Sequence, residues 1–239
     1  MKTDQLKPKV VLGVAAHPDD LDFGASGTLA AFASQGADVY YLILTDGSKG
    51  TEDKTLTSKQ LNKMREDEQQ AAVKAINGKG VEFLGYPDGC LEVTMKLKRD
   101  IVRVIRKLKP DIVITMDPTV VYSAERGMIN HPDHRAAGQA TLDAVFPLAR
   151  DHLSFPELYE QGFKPHKTKT VLLTNFEKHN FIVDISRTFD NKMAALKAHG
   201  SQIKDMDKVE DRMREMAKQV GSKQGYEFGE GFIRIDLNV

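Results

Sequence analysis

The apolar positions of this chain follow two rhythms that alternate along it. Residues 10–16 form a continuous apolar, β-branched-rich run, and residues 39–45 (VYYLILT), 81–86 and 111–116 (DIVITM) read as three further short strands. Continuous runs of this length fit strands buried on both faces. Between them, residues 24–35 are rich in Ala and Leu and stop at Gly36, and residues 58–76 show helical periodicity and end at Asn77-Gly78. Residues 95–108 and 132–149 read as further helices. Four strands separated by helices predict an α/β fold: a Rossmann-like parallel sheet flanked by helices, with right-handed crossovers.

After about residue 151 the order changes. A polar loop with Pro156 and Pro165 leads to strands at 170–175 and 181–184, helices at 189–199 and 205–220, and a final alternating strand at 231–237. With no repeat or linker in sight, residues 1–239 read as one domain: a core over 1–150 and a C-terminal strand/helix elaboration over 151–239.

Composition removes several classes of partner. Lys+Arg and Asp+Glu both total 34, so the net charge is zero and no basic tract offers a nucleic-acid face. A single cysteine, Cys90, cannot form an internal disulfide and fits a reducing, cytoplasmic setting. Lys2, Lys7 and Lys9 before the first apolar run imitate a short signal peptide. Pro8 and Lys9 sit directly against that run, which is at the short limit for such a signal, so it reads as a buried strand. No segment reaches the roughly 18 apolar residues of a membrane span. Whether the chain forms a homo-oligomer is left open.

In an open parallel sheet, ligands bind beyond the carboxyl ends of the strands. His17-Pro18-Asp19-Asp20 follows the first strand, Asp46-Gly47-Ser48-Lys49-Gly50 the second and Pro87-Asp88-Gly89 the third. The fourth leads to Asp117 and a loop ending Asn130-His131-Pro132-Asp133-His134. His17 and Asp20, three residues apart in a tight turn, could reach one cation; His131 and His134 both stand as suppliers of a third ligand, leaving a position open for water. Asp19, between two proposed ligands, is placed to accept a proton from that water. A plainer reading competes: Asn130, Pro132 and Asp133 also make a good helix start, and Asp19 or Asp20 could cap the next helix. Two His-Pro-Asp tripeptides, each with an extra ligand residue and each after a parallel strand, favour a metal site. His152, His166 and His179 read as exposed loop residues, His199 as a partner for a helix C-terminus, and Cys90 as a passive side chain.

Ala16-His17-Pro18-Asp19-Asp20 resembles the A-H-P-D-D signature of the LmbE/PIG-L family of de-N-acetylases, and His131-Pro132-Asp133-His134 with Gly138 resembles its second motif, H-P-D-H-x-x-x-G. Thr45-Asp46-Gly47 with Gly50, Arg65 with Glu68, and residues 197–202 are similar to further family features. The resemblance implies that His17, Asp20 and His134 bind Zn2+ or another divalent transition metal, and that Asp19 is the general base. It also implies that His131 stabilises the oxyanion, that Asp133 orients or tunes the His131 imidazole, and that the substrate is a small N-acetylglucosamine-type sugar or conjugate. The expected reaction is hydrolysis of the acetamide by a metal-activated water, without a covalent intermediate. A divalent-metal phosphoesterase and a catalytically silent metal- or sugar-binding protein are the alternatives. Loops at 46–54, 122–129 and 152–166 are expected to rim the cleft.

Overall fold

The computed structural model describes residues 6–238. The strands β1 (Val10–Ala15), β2 (Asp38–Thr45), β3 (Gly80–Tyr86) and β4 (Ile112–Met116) pair in parallel, in the order β3-β2-β1-β4. A two-stranded hairpin, β5 (Tyr122–Ser123) and β6 (Met128–Ile129), lies outside the main sheet. The C-terminal part continues that sheet: β7 (Thr170–Thr174) pairs with β4 in parallel, and β9 (Gly229–Asp236) runs antiparallel between β7 and β8 (Phe181–Asp184).

The chain winds one way from β1 through β2 to β3, then crosses back to place β4 on the other side of β1. That reversal is a topological switch point, and it opens a crevice beyond the carboxyl ends of β1 and β4. The two His-Pro-Asp tripeptides follow those two strands.

Helices cover both faces, which is why the strand runs are continuously apolar. Leu12 and Val14 of β1 face one core, packed with residues of α4 (Met95–Leu108) and α5 (Pro132–Asp143). Val11 and Ala15 face the other, with α1 (Asp20–Gly24), α2 (Ser26–Ser34), α3 (Ser58–Ala75) and α7 (Phe189–Lys197). A third cluster joins α7 to α8 (Met206–Ser222) through Phe189, Leu196, Met213 and Ala217. Among the described residues no helix is long and apolar enough to cross a membrane.

Three departures from the sequence pattern have local causes. The helix expected from Gly24 begins at Asp20 and breaks at Ala25 into α1 and α2. The helix expected to reach Ala149 ends as α5 at Asp143, and Phe146 is extended (φ −144°, ψ 125°); Pro147 disfavours the helical conformation in the residue before it. The loop expected to rim the cleft at 152–166 instead contains α6 (Pro156–Glu160) and packs away from it. Glu157 accepts from Arg99 Nε at 2.7 Å, His166 Nε2 meets the Pro110 carbonyl before β4 at 2.8 Å, and buried Arg106 donates to the carbonyls of Leu148, Asp151 and Ser154.

Candidate active site

After β1 the backbone turns sharply enough that Asp19 adopts φ 93°, ψ −30°. For a non-glycine residue this left-handed conformation costs about 1–3 kcal/mol and persists only where the surroundings impose it. One face of α3 imposes it. Arg65 Nη2 donates to the Pro18 carbonyl at 2.6 Å and lies 3.3 Å from Asp19 Oδ2, while Gln69 Oε1 accepts from the Asp19 N–H at 2.9 Å. Asn62 and Arg65 also bind the Asp46 and Gly47 carbonyls. Residues 62, 65 and 69 share a face because they are spaced at one and two helical turns. The Asp19 side chain makes no capping bond to α1, and Asp20 Oδ2 accepts from the His17 N–H at 2.7 Å, so neither carboxylate acts as a simple helix cap.

Behind this turn, fully buried Asp22 accepts from Gln69 Nε2 (2.8 Å), Tyr41 Oη (3.1 Å) and His199 Nε2 (2.9 Å). His199 is therefore an internal partner of Asp22 rather than of a helix C-terminus. Burial alone would lower its pKa, but the bond to Asp22 raises it.

The second tripeptide begins α5. His131 is the N-cap, its Nδ1 accepting from the Asp133 N–H at 3.2 Å. Asn130, read from sequence as a capping residue, does something else: its Oδ1 lies 3.0 Å from His134 Nδ1, and its Nδ2 donates to the Val120 carbonyl. Gly138 explains the end of the motif. A Cβ there would lie 2.3 Å from the Met116 carbonyl oxygen, so only glycine lets α5 approach the end of β4.

The two motifs meet at His17. Its Nδ1 is 3.4 Å from Asp20 Oδ2, and its Nε2 is 3.2 Å from both Asp88 Oδ1 and Asp133 Oδ2. His134 Nε2 is 3.1 Å from Asp20 Oδ1. The His131 and His134 rings stand 4.8 and 5.3 Å from that of His17, centroid to centroid. Asp133, almost fully buried, accepts from His17 Nε2, from Gly89 N–H at 2.7 Å and from Leu91 N–H at 3.1 Å. Its carboxylate thus holds His17, while the Asp133 backbone amide donates to His131 Nδ1.

The electrostatics match a cation site. Burial alone would lower the His17 pKa, but hydrogen bonds to Asp20 and Asp88 lift it to about 10. Burial opposes ionisation of Asp20, yet His134 and His17 hold its pKa well below the usual carboxylate range. Asp88 is lowered to about 2, with the His17 bond outweighing burial. Burial pushes Asp19 up to about 7, helped by Asp20 and opposed by Arg65. Burial and the neighbouring His17 lower His131. A protonated imidazole ringed by carboxylates holds positive charge that a divalent ion would replace on binding, with release of the proton.

Among the described residues two donor sets are close enough to hold a metal: His17, His131 and His134, and His17, Asp88 and Asp133, each with ligand atoms within 4.8 Å of one another. The outer contacts add information. His17 Nε2 is taken by carboxylates and His134 Nδ1 by Asn130, so His17 Nδ1 and His134 Nε2 both turn towards Asp20. Fixing one imidazole nitrogen so that the other faces a metal is the usual outer-shell arrangement.

Sequence reasoning had no role for Asp88 or Gln69, and for Asn130 only that of a helix cap. Asp88 stood in view at a strand end. Gln69 falls one helical turn beyond Arg65, a spacing that marks a shared face but not what that face touches.

Comparisons with known proteins converge on the same region. The family profile described as PIG-L: GlcNAc-PI de-N-acetylase matches residues 12–145, which include both His-Pro-Asp motifs. The chain is 33% identical over 225 residues to diacetylchitobiose deacetylase of Thermococcus kodakarensis, covering 93% of this chain and 82% of that one. It is 28% identical over 197 residues to a probable N-acetyl-alpha-D-glucosaminyl L-malate deacetylase 2 of Bacillus anthracis, covering 80% of each. The solved structure of N,N'-diacetylchitobiose deacetylase from Pyrococcus horikoshii, complexed with an inhibitor, superposes with a TM-score of 0.87 at 30% identity, covering 96% of this chain and 84% of that one. With its motifs, its fold and its relatives in agreement, this chain belongs to the PIG-L family of de-N-acetylases.

Proposed function

We propose that this protein is a metal-dependent amidohydrolase that removes the acetyl group from an N-acetylglucosamine-type sugar or conjugate. The observation that carries the assignment is the pair of contacts from Asp20 to His17 Nδ1 and His134 Nε2, with Asp19 as the adjoining residue. In this reading His17, Asp20 and His134 hold a zinc ion or a similar divalent transition metal. Two imidazoles favour such a metal over magnesium, which weakens the phosphoesterase alternative. When bound, the metal polarises a water and the amide carbonyl.

The chain's own residues supply the proton transfers. Asp19, adjoining the proposed ligand Asp20 and held in place by Arg65 and Gln69, is placed to take a proton from the attacking water and return it to the departing amine. His131 stands beside the cluster with its Nδ1 fixed by the Asp133 amide, which leaves Nε2 to stabilise the negative oxygen of the tetrahedral species. Asp133 and Asp88 keep the His17 ring in place. The single cysteine is the support for a cytoplasmic setting.

The direct test is amine release from a panel of N-acetylglucosamine conjugates by protein loaded with zinc, run beside phosphate release from nitrophenyl phosphate. Amine release that disappears with a chelator and returns with zinc supports the reading. Phosphate release without amine release would reverse it.

A further inference from the structure

A cavity of about 380 Å³ opens directly from the ligand cluster, with Asp20 and His134 in its wall. It runs beneath α8, away from β2 and β3, and its lining is dominated by Phe23, Met116, Met128, Phe176, Met213 and Met216. A smaller cavity of about 70 Å³ shares Phe23, Met213 and Met216 with it and continues in the same direction.

Several of the polar groups in its wall are already engaged by the protein, the exposed Arg212 guanidinium on α8 and the Thr174 hydroxyl being the exceptions among the described residues. Asp117 accepts from Thr119 Oγ1 and from Asn175 Nδ2, and Asn175 Oδ1 accepts from the Glu177 and Lys178 amides. Asn130 is bound to His134 and Val120, and Arg126 donates to the Phe176 carbonyl. What the cavity offers a ligand is chiefly apolar surface, much of it from methionines that adapt to chains of different shape, with the Arg212 guanidinium as an exposed cation in its α8 wall.

The opposite side of the cluster is unlike it. There His17 contacts Asp88, whose other oxygen accepts from the Lys49 amide, and Asp46 and the Lys49 side chain lie at the same strand ends. Carboxylates and an ammonium suit sugar hydroxyls. An amide lying across the cluster with its sugar on this polar side directs its acyl group into the cavity beneath α8. An acetyl methyl is about the size of one water, ~30 Å³ in the liquid, and fills little of it.

We infer that the cavity beneath α8 is an acyl pocket, and that the enzyme cleaves N-acyl amino sugars with medium-length acyl chains better than it cleaves the acetyl form. This rests on the amidohydrolase reading and extends it. Water adds to the amide carbonyl, the carbon–nitrogen bond breaks, the acyl carbon leaves as a carboxylate carrying its alkyl chain, and the sugar amine takes up a proton. No further reactant is required.

The experiment uses the zinc-loaded full chain with N-acetyl-, N-butanoyl-, N-hexanoyl- and N-octanoylglucosamine, and with an alkyl glycoside of N-acetylglucosamine. Free amine is measured for each. kcat/KM is expected to rise by about two- to fourfold per added methylene until the cavity is full, the gain available from burying each methylene. Met216→Trp, which fills the cavity from a half-buried position on α8, is expected to lower the ratio of hexanoyl to acetyl hydrolysis about tenfold. Using a ratio removes any general loss from misfolding. A series that is flat or falls from acetyl to hexanoyl overturns the pocket assignment while leaving the deacetylase reading intact. So does a gain confined to the alkyl glycoside, which would make the cavity a site for the aglycone. Absence of amine from every substrate, acetyl included, overturns both.

Discussion

The chain contains His-Pro-Asp twice at the switch point, and the two copies are built for opposite purposes. In the first, Asp19 sits in the left-handed region, receives from the described residues only the long Arg65 contact on its carboxylate, and has its pKa pushed up to about 7 by burial. In the second, Asp133 lies in the first turn of α5 and accepts three hydrogen bonds, from His17, Gly89 and Leu91. One carboxylate is held in a costly conformation with spare capacity for a proton; the other is saturated and acts as a strut. The tripeptide itself does not decide between these states. α3 pressing on one and α5 beginning at the other decide it.

Variants can break or sharpen that contrast. The largest effect is expected for His17→Ala and His134→Ala, each of which removes a proposed metal ligand. Activity should fall to background and metal content after gel filtration should become substoichiometric, with partial recovery on adding zinc. Retention of full metal by His134→Ala would remove it from the ligand set. Asp19→Asn should keep its metal while amine release drops by roughly 10²–10⁴-fold. If that variant lost metal while Asp20→Asn kept it, the two aspartates would exchange roles.

A smaller effect is expected for Asn130→Ala, which frees the His134 ring to turn. Metal affinity or activity should weaken about 10–100-fold, measured by competition with a chelator. The smallest effects concern stability and should have opposite signs at the two tripeptides. Asp19→Gly relieves a left-handed conformation and should stabilise by about 1 kcal/mol. Asp133→Asn turns an amide donor towards one of two backbone N–H groups and should destabilise by roughly 1–3 kcal/mol. Urea denaturation of both variants without metal reads the difference; a loss of stability in Asp19→Gly would mean that the turn is not strained.

Much of the sheet was legible because β1, β2 and β4 are largely buried and so appear as apolar runs. The strands expected at 39–45 and 81–86 fall within β2 and the edge strand β3. The strand-end rule gathers His17, Asp20, His131 and His134 from the sequence alone. What stayed hidden depends on contacts between distant segments. His199 and Asp22 are 177 residues apart, and Asp133 and Leu91 are 42 apart, so no local pattern could pair them. The break at Ala25 is hidden for a different reason, since Ala-rich sequence is helical by propensity and tertiary packing decides where it stops, whereas Pro147 marks in the sequence why the helix does not run on to Ala149. The loop at 152–166 was assigned to the cleft from its position in the chain alone; Arg106 draws the chain ahead of it to the far side.

The polar stripe on α3 also has a mechanical meaning. Asn62, Arg65 and Gln69 fasten the Asp46 and Gly47 carbonyls, the Pro18 carbonyl and the Asp19 amide to one rigid rod. The loops after β1 and β2 can therefore open only together, by moving that rod or by breaking several bonds at once. The Asp19 amide hydrogen, locked against Gln69, becomes a reporter of this joint opening. Its exchange with solvent should follow the slow motion of α3 rather than the rapid fluctuation common to loops.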